Sequence, residues 1–370
     1  MADNNCIVQS TKQRTIAFYI GSLGRGGAEH VMVNLAQYFH GQGYKVYLVT
    51  KTIDEPEYTV PEGVERIIAD ITDEEITGSR IKNLQNRVNK LRNIWLEIKP
   101  DLILSFIRKN NLMALASTRG LNIPVVVGIR SNPARELQGR GFKQLSFMMF
   151  KKAAGIVVQT NDGKNFFPAG LQKKIVVMPN SINEEFIGVE EPEIRDKEIV
   201  LVGRIDTNKN QRMVLEAFDE IKDEYLGWKL QVYGDGEMAA GLRNRFDCDN
   251  IIFHGNVENV KDRIKNASIF VLSSKQEGMP NALIEAMALG LACISTDCPC
   301  GGPADLIENE VNGILIPVND TEGLRTQLIR LMNGEELRIS LGKEARKVSE
   351  RLHPEVVNKA WKDYLEGFMK

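Results

Sequence analysis

The sequence has few cysteines and histidines and no long apolar segment. Five cysteines in 370 residues are an odd number and too few for a disulfide framework, which favours a reducing compartment. No run approaches the roughly 18 consecutive apolar residues that mark a membrane-spanning helix. Residues 1–14 are polar and lack the apolar region of a signal peptide. We therefore expect a cytoplasmic protein without a transmembrane helix.

The rest of the composition is that of an ordinary globular protein. Apolar residues make up 43% of the chain and charged residues 26%. These fractions exclude a disordered or fibrous chain. At about 100–200 residues per domain, the length predicts two domains.

The charges are unevenly distributed along the chain. The net charge is -2, but residues 78–175 contain 18 Lys and Arg against 4 Asp and Glu. A basic block is either a solvated surface or a site for a phosphorylated substrate, an anionic membrane or a nucleic acid. No nucleic-acid-binding module is recognisable, so we expect no nucleic acid partner. Within the block, residues 140–152 mix cations with aromatic side chains and Met, which favours a helix at a membrane interface.

Short β-branched runs alternate with helical patterns. Most of these runs are apolar throughout, as expected for strands buried on both faces of a parallel sheet. The predicted strands are 15–20, 45–50, 102–106, 125–128, 156–159, 175–178, 198–202, 229–233, 251–253, 268–272 and 293–296. The predicted helices between them include 28–40, 211–220 and 281–289. This alternation predicts an α/β fold with doubly wound parallel sheets.

Residues 179–197 interrupt the alternation. This stretch is polar, acidic and without apolar periodicity, which is typical of an interdomain linker. A new strand–loop–helix unit begins at Glu198. We therefore predict two Rossmann-like domains, 1–185 and 186–353, each with a ligand crevice at the carboxyl ends of its strands.

A glycine-rich loop follows the first predicted strand. Residues 21–29 read GSLGRGGAE and lead directly into a helix. Glycines let backbone N–H groups approach a phosphate closely, and a helix N-terminus adds positive potential. A tight turn without a ligand is the alternative. A dinucleotide dehydrogenase would need an acidic residue at the end of the second strand, where the sequence has Thr50 and Lys51.

Two loops after apolar strands of the second half carry charged residues. Arg204 and Lys209 lie five positions apart, so that a guanidinium and an ammonium can bind one diphosphate. Glu277 lies in the other loop, and Glu285 lies about one turn inside the following helix. Loop amides and the helix N-terminus form an anion site between these carboxylates, which can accept hydrogen bonds from sugar hydroxyls. Solvated surface charges are the alternative for both pairs.

Candidate metal ligands are poorly placed. Asp247 and Asp249 form an Asp-x-Asp pair, but they follow an amphipathic stretch and precede a strand, which indicates a surface loop. Cys293, Cys298 and Cys300 lack the second ligand pair of a zinc site. We therefore expect no metal ion and no cofactor.

Together these features resemble the family-4-type retaining glycosyltransferases of the GT-B fold. The resemblance runs from about Thr15 to the end of the chain. It rests on GGAE at 26–29, on Gly203-Arg204 with Lys209, on the Glu-x7-Glu pair Glu277/Glu285, and on residues 296–307 with Asn312-Gly313. It implies two Rossmann-like domains facing a cleft, with residues 354–370 forming a helix that crosses back to the first domain.

The resemblance also implies how the donor, a nucleotide diphosphate sugar, is bound and activated. Arg204 and Lys209 would bind the diphosphate, Glu285 the ribose, and Glu277 the sugar hydroxyls. Fixed cations would stabilise the charge that grows on the leaving diphosphate, so that no metal ion is needed. Retention would follow from attack on the face from which the diphosphate leaves, with Glu277 positioning the sugar rather than acting as a nucleophile.

Further residues are implied around the donor. Backbone groups near Asn256 and Val257 would contact the base, and the loop at Gly26 and Gly27 would close on donor and acceptor. The complete set of implied donor-binding residues is Gly26, Gly27, Gly203, Arg204, Lys209, Asn256, Val257, Glu277, Gly278, Met279, Pro280, Asn281 and Glu285.

One position departs from the family pattern. Many relatives have a His after the strand at 125–128, facing the reacting sugar, whereas this chain has Arg130. Arg cannot act as a base near neutral pH, so we expect Arg130 to bind a phosphate or the departing charge. The identity of an acceptor base stays open.

The resemblance implies transfer from a UDP-sugar, either a hexose or an N-acetylhexosamine, to a lipid-linked glycan in bacterial surface polysaccharide assembly. The enzyme would be peripheral at the inner face of the plasma membrane, bound through the basic block. A nucleotide-sugar epimerase on the same fold is an alternative, but no set of acid and base residues for it is evident. A non-catalytic nucleotide-sugar-binding protein is another, and the intact charged motifs argue against it.

Overall fold

The computed structural model describes residues 13–24, 26–139 and 141–369. These residues divide into two compact units. The first unit takes the described residues of Met1–Ile129, Leu137–Val157 and Trp361–Lys370, and the second unit takes Arg130–Glu136 and Val158–Ala360. Compactness does not test independent folding, so the domains 1–185 with 354–370 and 186–353 stay a prediction. Among the described residues, no helix combines the length and the apolar character needed to span a bilayer.

The first sheet has seven strands in the order β3-β2-β1-β4-β5-β6-β7. They are β1 (Thr15–Ile20), β2 (Lys45–Thr50), β3 (Glu65–Ile68), β4 (Leu102–Phe106), β5 (Val125–Gly128), β6 (Gly155–Val158) and β7 (Ile175–Val177). The first strand pairs in parallel with β2 on one side and with β4 on the other. Strands β4 and β5 are buried along their whole length, which explains their largely apolar sequences.

In the first half of the chain, the residues that the structure describes form seven helices. They are α1 (Gly27–Gly41), α2 (Arg80–Ile98), α3 (Arg108–Ser117), α4 (Pro133–Glu136), α5 (Phe142–Phe150), α6 (Asn161–Asn165) and α7 (Ala169–Gln172). The side chain of Ser79 caps α2 by accepting a hydrogen bond from the backbone N–H of Lys82. The helix ends at Lys99, which adopts the left-handed conformation with φ 46°.

The second sheet has six strands in the order β10-β9-β8-β11-β12-β13. They are β8 (Asp196–Val202), β9 (Lys229–Tyr233), β10 (Ile251–Gly255), β11 (Ala267–Leu272), β12 (Ala292–Thr296) and β13 (Ile314–Ile316). Successive side chains point to opposite faces, so Ile199 and Leu201 join one apolar cluster and Val200 joins another. Both faces of this sheet are therefore covered.

The described residues of the second half form nine further helices. They are α8 (Gln211–Asp219), α9 (Ala239–Phe246), α10 (Val260–Ile264), α11 (Asn281–Ala288), α12 (Gly302–Leu306), α13 (Thr321–Asn333), α14 (Glu335–Ala345), α15 (Val348–Arg351) and α16 (Pro354–Glu366). From Trp361 onward, the last helix belongs to the first unit. There the ring of Trp361, which is buried, lies 5.8 Å from the ring of Phe106. The predicted return of the C-terminal helix to the first domain is confirmed.

The predicted α/β class with two doubly wound parallel sheets is confirmed. Strand β3 was not predicted because it begins with the charged residues Glu65 and Arg66. Strand β13 was not predicted because its apolar run, Ile314–Ile316, is only three residues long. The prediction of a linker at 179–197 is wrong for its first part. Ile182 and Phe186 are buried in the core of the second unit, and residues 184–186 form a 3₁₀ turn.

The strand order places a ligand crevice in each sheet. In both, the first strand has the second strand on one side and the fourth on the other, so that the crossover connections leave in opposite directions. The carboxyl ends of β1 and β4, and of β8 and β11, are therefore topological switch points, where doubly wound sheets bind their ligands.

Candidate functional site

Two loops meet at the switch point of the second sheet. One follows β8 and contains residues 203–210, and the other follows β11 and contains residues 273–280. The backbone N–H of Lys275 donates to the carbonyl of Asn208 at 2.7 Å, and the Ser273 hydroxyl donates to the carbonyl of Lys209 at 2.8 Å. Asn208 returns a side-chain bond to the carbonyl of Gln276 at 3.0 Å. These bonds hold the two predicted motifs side by side.

Lys209 and Glu277 form a direct ion pair in this site. The Lys209 ammonium lies 2.7 Å from Oε1 of Glu277, and the Ser274 hydroxyl donates to the same oxygen at 2.6 Å. The Glu277 side chain is only 14% exposed. Among the described residues, no hydrogen bond uses its Oε2. The carboxylate is thus fixed through one oxygen, and the other can accept a hydrogen bond from a ligand.

Arg204 is linked to the same loop through Asp206. Its Nε donates to Oδ2 of Asp206 at 2.7 Å, while Oδ1 accepts the backbone N–H groups of Asn208 and Lys209. Burial raises the pKa of Asp206, but the hydrogen bonds from Lys209 N–H and from Arg204 outweigh it and lower the pKa overall. Asp206 is therefore ionised and orients the guanidinium. The Arg204 side chain is 75% exposed, which leaves its terminal nitrogens facing solvent.

Glycines let three backbone segments approach one another beneath these side chains. Gly203 has φ +138°, in a region that side chains rarely adopt, and its Cβ position faces the end of Lys209. Gly234, after β9, has φ +133°, and a Cβ there would overlap the carbonyl oxygen of Gly203. The φ angle of Gly203 therefore favours glycine in the loop after β8, and Gly234 is required for that loop to pack.

Glu285 lies on α11 as the motif predicted, one turn inside the helix. Its side chain is half-buried, and within the described ranges its carboxylate has no hydrogen-bond or ion-pair partner. Burial raises the pKa of Glu285 to about 7, with a smaller contribution from the charge of Glu185. A carboxylate kept partly from water without a donor is suited to accept hydrogen bonds from a ligand.

The start of α11 is held by a buried amide. Asn180 donates to Oδ1 of Asn281 at 2.6 Å and to the carbonyl of Met279 at 3.5 Å. Its own Oδ1 accepts from Gln159 at 2.9 Å and from the guanidinium of Arg130. Arg130 is thereby connected to the Glu-x7-Glu segment through a single side chain.

The neighbouring positions of this segment are packed closely. Met279 and Pro280 are buried, and Pro280 precedes the first residue of α11. A Cβ at Gly278 would come within 2.5 Å of Oε1 of Gln159, so a side chain there would displace this amide.

Arg130 lies after β5, as predicted. Burial lowers the pKa of its guanidinium to about 10, and the charge of Glu136 opposes this shift. Arg130 therefore remains a cation near neutral pH. Its bond to Asn180 directs this cation towards the α11 segment rather than into bulk solvent.

Four predicted donor residues are not joined to this network by any described contact. Asn256 is exposed and Val257 half-buried after β10, the edge strand of the second sheet. Gly26 and Gly27 lie in the first unit, where Gly26 precedes α1. A Cβ on Gly26 would overlap the carboxylate of Glu29, whereas Gly27 faces open space. Their predicted roles stay predictions.

The network also contains residues that were not predicted from the sequence, among them Asp206, Ser274 and Asn180. Asp206 and Ser274 lie inside the two recognised loops. An acid and a hydroxyl placed among the glycines and cations of these loops were the sequence feature that could have identified them. Asn180 lies in the stretch interpreted as a linker, and nothing in its sequence neighbourhood indicates that it is buried.

The predicted surface placement of the Asp-x-Asp pair fits the structure. Asp247 and Asp249 follow α9, and both are exposed. Across residues 13–24, 26–139 and 141–369, no group of three or more His, Cys, Asp or Glu side chains is placed to hold a metal ion.

Two family models match the chain. The model for Glycosyltransferase Family 4 matches residues 25–186, and the model for Glycosyl transferases group 1 matches residues 196–334. The first match covers the glycine loop, and the second covers the loops around Lys209 and Glu277.

Curated proteins and solved structures are similar over nearly the whole chain. A Campylobacter jejuni enzyme is 26% identical over 335 residues, which cover 90% of this chain and 92% of that protein. It is named GalNAc-alpha-(1->4)-GalNAc-alpha-(1->3)-diNAcBac-PP-undecaprenol alpha-1,4-N-acetyl-D-galactosaminyltransferase. The amylovoran biosynthesis glycosyltransferase AmsD of Erwinia amylovora is 23% identical over 356 residues, covering 93% and 97%. The structure of Anabaena HepE with UDP and glucose has a TM-score of 0.78 at 15% identity, covering 96% and 100%.

The structural likeness shows the fold, and the family models cover both halves of the chain that carry the motifs. The loops at the second switch point present the charged residues that these motifs predicted. On these grounds, the chain belongs to the family-4-type glycosyltransferases of the GT-B fold.

Proposed function

We propose that this glycosyltransferase moves a sugar from a UDP-hexose or UDP-N-acetylhexosamine to a lipid-linked glycan, with retention at the anomeric carbon, in bacterial surface polysaccharide assembly. The observation that carries the proposal is the Lys209–Glu277 pair beside Arg204 at the switch point of the second sheet. The Campylobacter relative, whose name includes PP-undecaprenol, supports the lipid-linked acceptor, and the Erwinia relative, named for amylovoran biosynthesis, supports polysaccharide assembly. The UDP of Anabaena HepE supports the nucleotide.

The donor is held by the second unit. The exposed guanidinium of Arg204 and the ammonium of Lys209 bind the diphosphate through charge-assisted hydrogen bonds. Oε2 of Glu277 accepts hydrogen bonds from the sugar hydroxyls, and the carboxylate of Glu285 accepts hydrogen bonds from the ribose. The backbone of residues 278–281 completes the anion site, and residues 256 and 257 meet the base.

Bond cleavage is assisted by charge. As the bond between the anomeric carbon and the diphosphate breaks, its electron pair leaves with the phosphate oxygen. Arg204 and Lys209, held in place by Asp206 and Glu277, stabilise this charge without reorganising. Arg130 contributes a further cation on the side of α11, and its protonation excludes it as the acceptor base. No metal ion is required for this chemistry.

A donor panel tests the activity. The full chain is incubated with UDP-glucose, UDP-galactose and their N-acetyl forms, with plain UDP, GDP and ADP as controls, and both thermal stabilisation and UDP release are measured. We expect stabilisation by UDP over the other diphosphates and slow UDP release from one sugar class. A changed sugar with no UDP released would instead indicate an epimerase, and binding with neither outcome a non-catalytic protein.

The stereochemistry is read from the product. The glycoside formed on an acceptor should have the same α configuration as the donor, measured from its anomeric coupling constant. A β product would contradict retention while leaving the donor site intact.

Variants in the basic block test whether the protein binds a membrane. Under this proposal the enzyme is cytoplasmic and binds the inner face of the plasma membrane through residues 78–175. We expect co-sedimentation with vesicles to rise with anionic lipid content, to weaken with salt, and to drop when three lysines near α5 become Glu, namely Lys143, Lys151 and Lys152. The matched control changes three exposed lysines outside the block, namely Lys197, Lys229 and Lys343. Equal loss in both triple variants would refute a specific membrane surface.

A further inference from the structure

The first unit contains a cavity that none of the motifs explains. It has a volume of about 450 Å³, within the roughly 300–1,000 Å³ of small-molecule sites. Its floor is formed at the carboxyl edge of the first sheet by Tyr19 at the end of β1, Lys51 after β2, Ala69 after β3 and Lys109 after β4. This is the edge at which doubly wound sheets bind ligands.

The walls of this first-unit cavity are apolar and come from three helices. Helix α2 contributes Leu84 and Leu91, α3 contributes Met113, and α5 contributes Phe142 and Leu145. Three of these side chains are strongly exposed in the free protein: Leu84 by 54%, Phe142 by 52% and Leu145 by 42%. Large apolar side chains gathered at an open cavity are a sign of a binding site.

Cations, but no acids, join the apolar lining. Lys51, Arg87 and Lys109 all contact the cavity. Arg87 is paired with Asp70 at 3.1 Å. For Lys51 and Lys109, the described residues supply neither a hydrogen bond nor an ion pair to the ammonium. The two lysines therefore offer their charge to an anion at the floor of an apolar chamber.

This combination selects one chemical class of ligand. A sugar would need carboxylates and amides along the walls, and the polar lining besides the cations is limited to Tyr19 and Asn110. A free phosphate would make no favourable contact with the apolar side chains of α2, α3 and α5. A hydrocarbon chain that carries a phosphate at one end satisfies both parts of the lining.

We propose that the first-unit cavity binds the phosphate-proximal part of a hydrocarbon-linked diphosphate, with the chain between α2, α3 and α5 and the diphosphate at Lys51 and Lys109. The inference rests on the proposed function only in identifying this amphiphile as the anchor of the lipid-linked acceptor. It adds a specific lipid site to the general attraction between the basic block and a membrane.

The test uses farnesyl diphosphate as the probe, below its critical micelle concentration and with UDP saturating the second unit. Binding to the full chain is measured by calorimetry, against inorganic diphosphate and farnesol. We expect farnesyl diphosphate to bind at least tenfold more tightly than either fragment, because each fragment satisfies only half of the lining. Equal affinity for inorganic diphosphate and farnesyl diphosphate would overturn the proposal.

Two variants localise the binding. Lys109→Ala removes a cation from the floor, and Leu145→Gln places an amide at an exposed wall position where folding is not at risk. Each should weaken farnesyl diphosphate binding about tenfold, whereas Lys82→Ala, on α2 but outside the cavity lining, should leave it unchanged. Affinity equal to wild type in both cavity variants would refute the site.

Failure of this inference is distinguishable from failure of the proposed function. UDP binding is measured on the same variants and should remain at wild-type level, because the altered residues lie in the first unit. If the wild type releases no UDP from any donor sugar, the transferase proposal is refuted. The binding of farnesyl diphosphate still decides whether the lipid site exists.

Discussion

Replacement of Glu285 by Gln should stabilise the protein and impair its donor site. Burial raises the pKa of this carboxyl from 4.5 to about 7, so the folded protein holds the proton more tightly than the unfolded chain. The free energy of unfolding therefore falls as pH rises from about 4.5 to 7, and the cost of the buried charge is complete above pH 7. At 1.36 kcal/mol per pKa unit, this cost is on the order of 3 kcal/mol.

The expected signature is a difference that depends on pH. Glu285→Gln keeps the shape of the side chain but cannot ionise, so it should be more stable than wild type at pH 8 and about equal at pH 4.5. Urea denaturation at both pH values measures the difference in free energy of unfolding between variant and wild type. The other titrating groups contribute equally to both proteins, so their effects cancel. Glu308→Gln, at an exposed position, is the control and should show no difference at either pH.

The same substitution should weaken UDP binding. Hydrogen bonds to a charged group contribute about 1.5–3 kcal/mol, so calorimetry at pH 8 should show roughly a tenfold to hundredfold loss. Wild-type affinity should fall as pH drops below 7, because the free protein then protonates Glu285, and the variant should lack this dependence. Equal stability of variant and wild type at pH 8, together with unchanged UDP affinity, would refute the reasoning.

Three further predictions concern catalysis and the fold. Lys209→Ala should reduce UDP release from the donor sugar by about 10²–10³-fold with a smaller effect on UDP binding, since the charge develops in the transition state; equal losses in both would contradict this. Transfer should survive excess EDTA, whereas its loss and rescue by Mn²⁺ would make Asp247 and Asp249 candidate ligands. Trp361→Ala should lower the free energy of unfolding by about 3–5 kcal/mol, because it empties a buried contact with Phe106, and an unchanged denaturation midpoint would exclude that packing role.

The pattern of apolar runs was sufficient for most of the architecture. Strands such as β1 and β4 are buried on both faces, so their sequences are largely apolar and their bounds were predicted to the residue. Strand β3 begins with Glu65 and is only partly buried, so it lacks this signal. Its parallel pairing with β2 is what defines it as a strand.

Local sequence determined which chemical groups this protein has available. Gly203, Arg204 and Lys209 after one strand, and the pair Glu277/Glu285 after another, follow from residue type and spacing alone, because a loop after a buried parallel strand must lie at the carboxyl edge of the sheet. The separate stretches of sequence could not show which of these groups contact one another.

Only the tertiary structure decided the contacts within the site. It pairs Lys209 with Glu277, 68 positions away in the sequence, and links Arg130 to the start of α11 through the buried Asn180. Within the described part of the chain, it gives the carboxylate of Glu285 no hydrogen-bond or ion-pair partner. Whether a side chain is buried or paired depends on the residues that distant segments place around it. This burial and pairing set the pKa of Glu285. The sequence by itself therefore determined the fold class and the chemistry on offer, and the packing of distant segments decided how that chemistry is arranged.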